Sequence, residues 1–221
     1  MDYKREIEDY TLFINSYFPE SLFNKQFNFV RKKTDLLFRS IEMTDIILDY
    51  TSYNENINKI LLNDYKHLLL KLLYISPVND SYFLAMTFRG LSESLLRIFL
   101  SINVGSDYSL SHIKSLSYRN LWPECNQIAK QIGCKQSLDK LNNIFKDNSI
   151  VIHNKDSKQT SINYLENIME NESYSFSLKA YNRILNDITT FTLDFFPIIF
   201  DLNYDLFSMN QKHAYKKIYK F

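Results

Sequence analysis

Three glycines (Gly90, Gly105, Gly133) and four prolines (Pro19, Pro77, Pro123, Pro197) are the only strong breakers in 221 residues. A β-rich chain of this length needs a turn signal about every ten residues. Long stretches without breakers instead predict helices, and the apolar residues within them recur at helical spacing. The expected class is all-α, an up-and-down helical bundle. Hydrophobic residues make up 45% of the chain, enough for a sizeable core.

Charge and cysteine content narrow the function classes. A formal net charge of +1 exerts no global pull on nucleic acid or anionic lipid, so any such contact needs a local patch. Cys125 and Cys134 form no CxxC pair. They read as reduced thiols of a soluble, cytoplasmic chain and are too few for a zinc site unless histidines complete it. The most apolar run, "FTLDFFPIIFDL", is interrupted by Asp194, Pro197 and Asp201, so no membrane span is expected. There is no glycine-rich phosphate loop, GxSxG elbow or HExxH pair, and no metal or cofactor is expected.

Periodicity and breakers predict helices over 2–18, 26–50, 56–74, 81–103, 111–116, 123–132, 137–153, 162–169, 176–196 and 204–219. Pro77 ends the third of these, Asp80 or Asn79 caps the fourth, and Gly133 closes the turn before 137–153. Residues 1–75 read as an N-terminal helical extension and 76–221 as the bundle proper.

Two segments carry candidate chemistry. In "TFRGLSESLLRIFL", Arg89, Glu93 and Arg97 stand four residues apart, within about 80° on one helix face. Tyr82, Met86, Leu96 and Leu100 share that sector, so the charges are expected to be partly covered. Either they form a structural ladder, or Glu93 holds two guanidinium groups beside a cleft. On the helix that carries "LNNIFKDNSIVIHN", Leu138, Leu141, Ile144, Phe145 and Ile152 form a core stripe. Asn142, Lys146, Ser149 and His153 fall along its edge. A histidine at a helix end can simply complement the macrodipole. It is also the side chain best suited to proton transfer near neutral pH, and here a cation and a hydroxyl share its face. Asn148, Asn154 and Lys155 adjoin Ser149 and His153 in sequence as further polar candidates. The tail "QKHAYKKIYKF" mixes lysines with Tyr215 and Tyr219, and is read as a solvated final helix.

These two segments, in this order, resemble the HEPN superfamily of α-helical toxin and antiviral-defence domains. The likeness spans about 81–200 and leaves out the N-terminal third. It implies a dimerising bundle in which paired arginine–histidine motifs cut RNA without metal. The histidine would move protons, the arginine would stabilise the phosphate and the ribose 2′-hydroxyl would attack. Implied partners are RNA and either a second copy of the chain or another subunit of a defence system. The motif arginine is missing here. With four, five and six residues intervening before His153 stand Asn148, Asp147 and Lys146, of which only Lys146 is cationic. The helical wheel puts Lys146, rather than Asn148, on the His153 face. Three routes stay open: Lys146 serves, Arg89 or Arg97 supplies the guanidinium from the neighbouring helix, or the domain binds without cutting. An unrelated helical adaptor with a purely structural stripe is a further alternative.

Overall fold

The computed structural model describes residues 3–50, 56–78, 80–153 and 177–219, and among these there is no strand. The helices are α1 (Tyr3–Tyr17), α2 (Leu22–Lys25), α3 (Phe27–Asp49), α4 (Asn56–Val78), α5 (Ser81–Val104), α6 (Leu110–Ser115), α7 (Tyr118–Ile132), α8 (Lys135–His153), α9 (Leu178–Thr190), α10 (Phe196–Ile199) and α11 (Met209–Tyr219). The protein is an all-α helical bundle. No described helix is long and apolar enough to cross a membrane. The expected helix at 162–169 lies outside the described residues.

The central helix is α5. Asp80 caps its start, accepting a hydrogen bond from the Phe83 N–H at 2.9 Å, and Gly105 ends it at a positive φ of 56°. Its stripe of Phe88, Leu91, Leu95, Ile98 and Phe99 is fully buried. Its most extensive contacts are with α8 on one side and α4 on the other. Asn58 meets Ser101, and Gly90 faces Leu68, so α4 and α5 run antiparallel.

The direction of α8 follows from α7. Tyr118 opens α7 stacked on Phe145 of α8, which in turn lies beneath Arg89 of α5. Seven residues further along α7, Cys125 donates its thiol to the Leu96 carbonyl, seven residues past Arg89. Helix α7 therefore runs in the same sense as α5. Gly133, at φ 77°, closes the turn and α8 returns against both.

The elements of the N-terminal third share one core with the rest. Helix α3 packs on α1, α4, α9 and α11. Arg39 in α3 donates to the Ile218 carbonyl of α11 at 3.0 Å and pairs with Asp35 at 2.6 Å. Tyr3 donates to the Lys217 carbonyl at 3.2 Å.

Several boundaries differ from the sequence reading: the last helix starts at Met209 instead of 204, α2 falls where no helix was expected, and three further differences trace to particular contacts. Helix α4 continues through Pro77 to Val78 instead of stopping at 74. A proline there leaves the Leu73 carbonyl without its helical donor, and Tyr10 supplies one from α1 at 2.7 Å. Helix α7 starts at Tyr118, not at Pro123, because the Ser117 carbonyl already accepts from the Asn120 and Leu121 N–H groups at 2.9 Å. The predicted helix 176–196 ends at Thr190 and passes into a π-turn over Phe191–Phe195. There Pro197 frees the Leu193 carbonyl, and Tyr219 of α11 donates to it.

Candidate functional site

The charged face of α5 is partly covered, as its apolar neighbours suggest. The Arg97 and Glu93 side chains keep only 14% and 26% of their surface exposed. Helices α6 and α7 supply the cover, and they take up Arg97. Its Nη2 donates to Glu93 Oε1 at 2.6 Å and to the Leu116 carbonyl at 3.0 Å, while Nη1 donates to the Ile113 carbonyl. Two of these acceptors are backbone carbonyls at the C-terminal end of α6, which its own helix leaves unpaired. Arg97 is thus the C-terminal cap of α6, with Glu93 orienting the guanidinium. These three partners occupy the Arg97 fork.

Beside this pair lies a cleft of about 300 Å³ between α4, α5 and α6. Leu61, Leu68 and Gly90 line it with Asp64, Glu93, Ser94, Arg97 and Lys114. Lys114 and Asp64 pair across it at 2.7 Å, so both cation–anion pairs are internally neutralised. Neither Arg89 nor His153 reaches this cleft.

Arg89 is employed differently. It is half-buried, with its guanidinium carbon 4.6 Å from the centroid of the Phe145 ring. Tyr118 lies flat against the other face of that ring, with centroids 3.3 Å apart and planes 4° from parallel. The Tyr118 hydroxyl donates to Asn142 Oδ1 at 2.9 Å, which locks the stack to α8. Burial raises the Tyr118 phenol above its ordinary range, so the platform stays neutral. Among the described residues the Arg89 N–H groups have no hydrogen-bond or ion-pair partner. Arg89 presents a cationic fork on an aromatic support.

On α8 the edge predicted beside the core stripe divides. Lys146 and His153 are exposed. Asn142 is drawn inward by Tyr118. Ser149 is half-buried and returns its hydroxyl to the Phe145 carbonyl at 2.7 Å. Asn148, one of the polar candidates, is 1% exposed and donates to the Ile144 carbonyl at 2.7 Å, so it has no surface to offer an RNA strand. Asn154 and Lys155 lie outside the described residues.

Helix directions set the spacing of what remains. His153 is eight residues beyond Phe145 towards the start of α5, about 12 Å of helical rise from the level of Arg89. Arg97 is a further eight residues the other way, about 24 Å from His153 along the axis. The structure therefore sets Arg89 and His153 at adjacent levels of the α5–α8 pair and leaves Arg97 remote from the histidine. Sequence reasoning missed the Phe145–Tyr118 support. Phe145 fits the core stripe equally well, and Tyr118 belongs to a helix start read five residues too late. Among the described residues no group of three or more His, Cys, Asp or Glu side chains could hold a metal ion.

Comparison with protein-family models, curated proteins and solved structures finds no match to this chain.

Proposed function

We propose that this chain is a HEPN-like endoribonuclease of the toxin or antiviral-defence type, with His153 as the proton-transferring group. One observation carries the reading. An accessible imidazole ends the helix that packs most extensively on α5, and that face of α5 holds an arginine with no hydrogen-bond or ion-pair partner among the described residues. Lys146, two turns before His153 and also exposed, adds positive charge on the same helix. In the reaction the 2′-hydroxyl of a ribose attacks the adjacent phosphorus and loses its proton to an imidazole. The 5′-oxygen of the next nucleotide leaves and takes up a proton. The products are a 2′,3′-cyclic phosphate and a 5′-hydroxyl.

Two proton transfers call for two groups, and each chain offers one accessible imidazole at this end of the α5–α8 pair. A homodimer supplies the second. Exposed Phe83 and Met86 near the start of α5, and Ile150 and Val151 in the last turn of α8, support association at that end.

The test is cleavage of single-stranded RNA by purified protein in EDTA. Cyclic-phosphate ends are expected from wild type and none from His153→Ala. Intact RNA with wild-type protein would remove this reading. It would leave a second one, an RNA-binding or regulatory subunit of a defence assembly without catalysis. Asn148, one of the three positions where the resemblant motif could carry arginine, is buried, and Lys146 is the only cation among the three, which favours that second reading.

A further inference from the structure

The geometry points to Arg89 as a clamp for an RNA backbone phosphate other than the one cut, held in position by the Phe145–Tyr118 stack. This rests on the reading of the chain as an RNA-acting protein and names how the strand is held. Three observations carry it.

The first is the contrast between the arginines of α5. Arg97 spends its donors on Glu93 and the carbonyls of Ile113 and Leu116. Arg89, two turns earlier and half-buried, has none of its donors taken among the described residues. A guanidinium carries five N–H donors, and anions with planar or tetrahedral oxygens accept from two at once.

The second is the support. A flexible arginine loses rotamer freedom on binding, but stacking on Phe145 at 4.6 Å fixes the plane of the fork beforehand. Tyr118 backs the ring, and Asn142 fixes Tyr118. Three side chains from two helices hold one guanidinium that has no ion-pair partner among the described residues.

The third is the spacing. About 12 Å of axial rise separates Arg89 from His153, roughly twice the span from one phosphate to the next on an extended strand, so the two suit phosphates about two nucleotides apart. Arg89 is therefore a positioning residue and not a catalytic one.

The experiment uses the full chain and a nuclease-resistant single strand, 2′-O-methyl hexauridylate, which lacks the attacking hydroxyl. In ¹⁵N-labelled wild-type protein the Arg89 Nε–Hε signal should move on titration. By fluorescence anisotropy, Arg89→Lys should weaken binding about tenfold, because the charge stays and the fork is lost. Arg89→Gln should weaken it further and lower the slope of log affinity against log salt by about one ion. Failure of the wild type to bind the strand, an unmoved Arg89 signal, or wild-type affinity in both variants would overturn the clamp. Cleavage of ordinary RNA separates the two ideas. Normal binding and cutting by the Arg89 variants, with no cutting by His153→Ala, refutes the clamp and keeps the ribonuclease. Binding through Arg89 with no cutting by any form keeps the clamp and refutes the ribonuclease.

Discussion

Arg89 and Arg97 stand on one helix face eight residues apart, and only their surroundings distinguish them. Arg97 was legible as a partly covered charge paired with Glu93. Its role as a cap was not, because its other acceptors are main-chain carbonyls of Ile113 and Leu116 that any residues would provide. Arg89 was legible as a candidate cation, but its aromatic support was not, since Phe145 satisfies a core stripe and a stacking platform alike. Asn148 shows the same limit from the other side. Its spacing from Ile144 and Ile152 places it in the core stripe, but the amide itself gives no hint that it bonds the Ile144 carbonyl. That burial makes a prediction against the most obvious engineering step. Asn148→Arg would complete an arginine–histidine spacing in the resemblant motif. It should nevertheless destabilise the fold by about 3 kcal/mol or more, since a guanidinium would replace a side chain that is 1% exposed. Chemical denaturation would measure this. A stable variant with enhanced cutting would show that α8 is placed differently when RNA is bound.

At the scale of elements, helix identities were legible and their ends less so. Positions with a local signal, such as Asp80 as an N-cap and Gly133 as a left-handed C-cap, were readable because the signal lies in the residue itself. The prolines misled because their effect depends on a distant partner. Pro77 and Pro197 each strip a carbonyl four residues back of its donor, and each time a tyrosine hydroxyl from another helix replaces it. Tyr10 answers Pro77 at the Leu73 carbonyl, and Tyr219 answers Pro197 at the Leu193 carbonyl. Helices α4 and α10 thus depend on α1 and α11 for main-chain satisfaction as well as for packing. Tyr10→Phe should cost about 1–2 kcal/mol by orphaning a carbonyl. In a Pro77→Ala background, where residue 77 can donate for itself, the same change should cost clearly less. A double-mutant cycle on denaturation midpoints measures the coupling. Equal costs in both backgrounds would show that the hydroxyl is not what lets α4 pass through the proline.

Over the whole molecule the all-α class followed from the scarcity of breakers, whereas the way the N-terminal third joins the rest depended on contacts between residues far apart in sequence. Tyr65 of α4 meets Thr192 of the π-turn at 2.5 Å, and Ser76 of α4 meets Tyr181 of α9 at 2.8 Å. These hydroxyls lie within the shared core, and burial raises the phenols of Tyr10, Tyr65 and Tyr181 above the ordinary tyrosine range. The sign of the linkage follows. A tyrosine whose folded-state pKa exceeds its unfolded value of about 10 favours the native state fully below that pH. The contribution is lost as pH rises through the folded-state pKa, because the unfolded chain releases protons that the fold retains. Alkaline titration should therefore be biphasic. A first phase of phenol ionisation should leave the helical signal intact. The buried phenols form phenolate only as the helical circular-dichroism signal collapses, in a single cooperative step that joins α1, α4, α9 and the π-turn. Ionisation of every phenol in one early phase, with helicity unchanged, would mean that water reaches these hydroxyls and that the two parts of the chain are not fused through them.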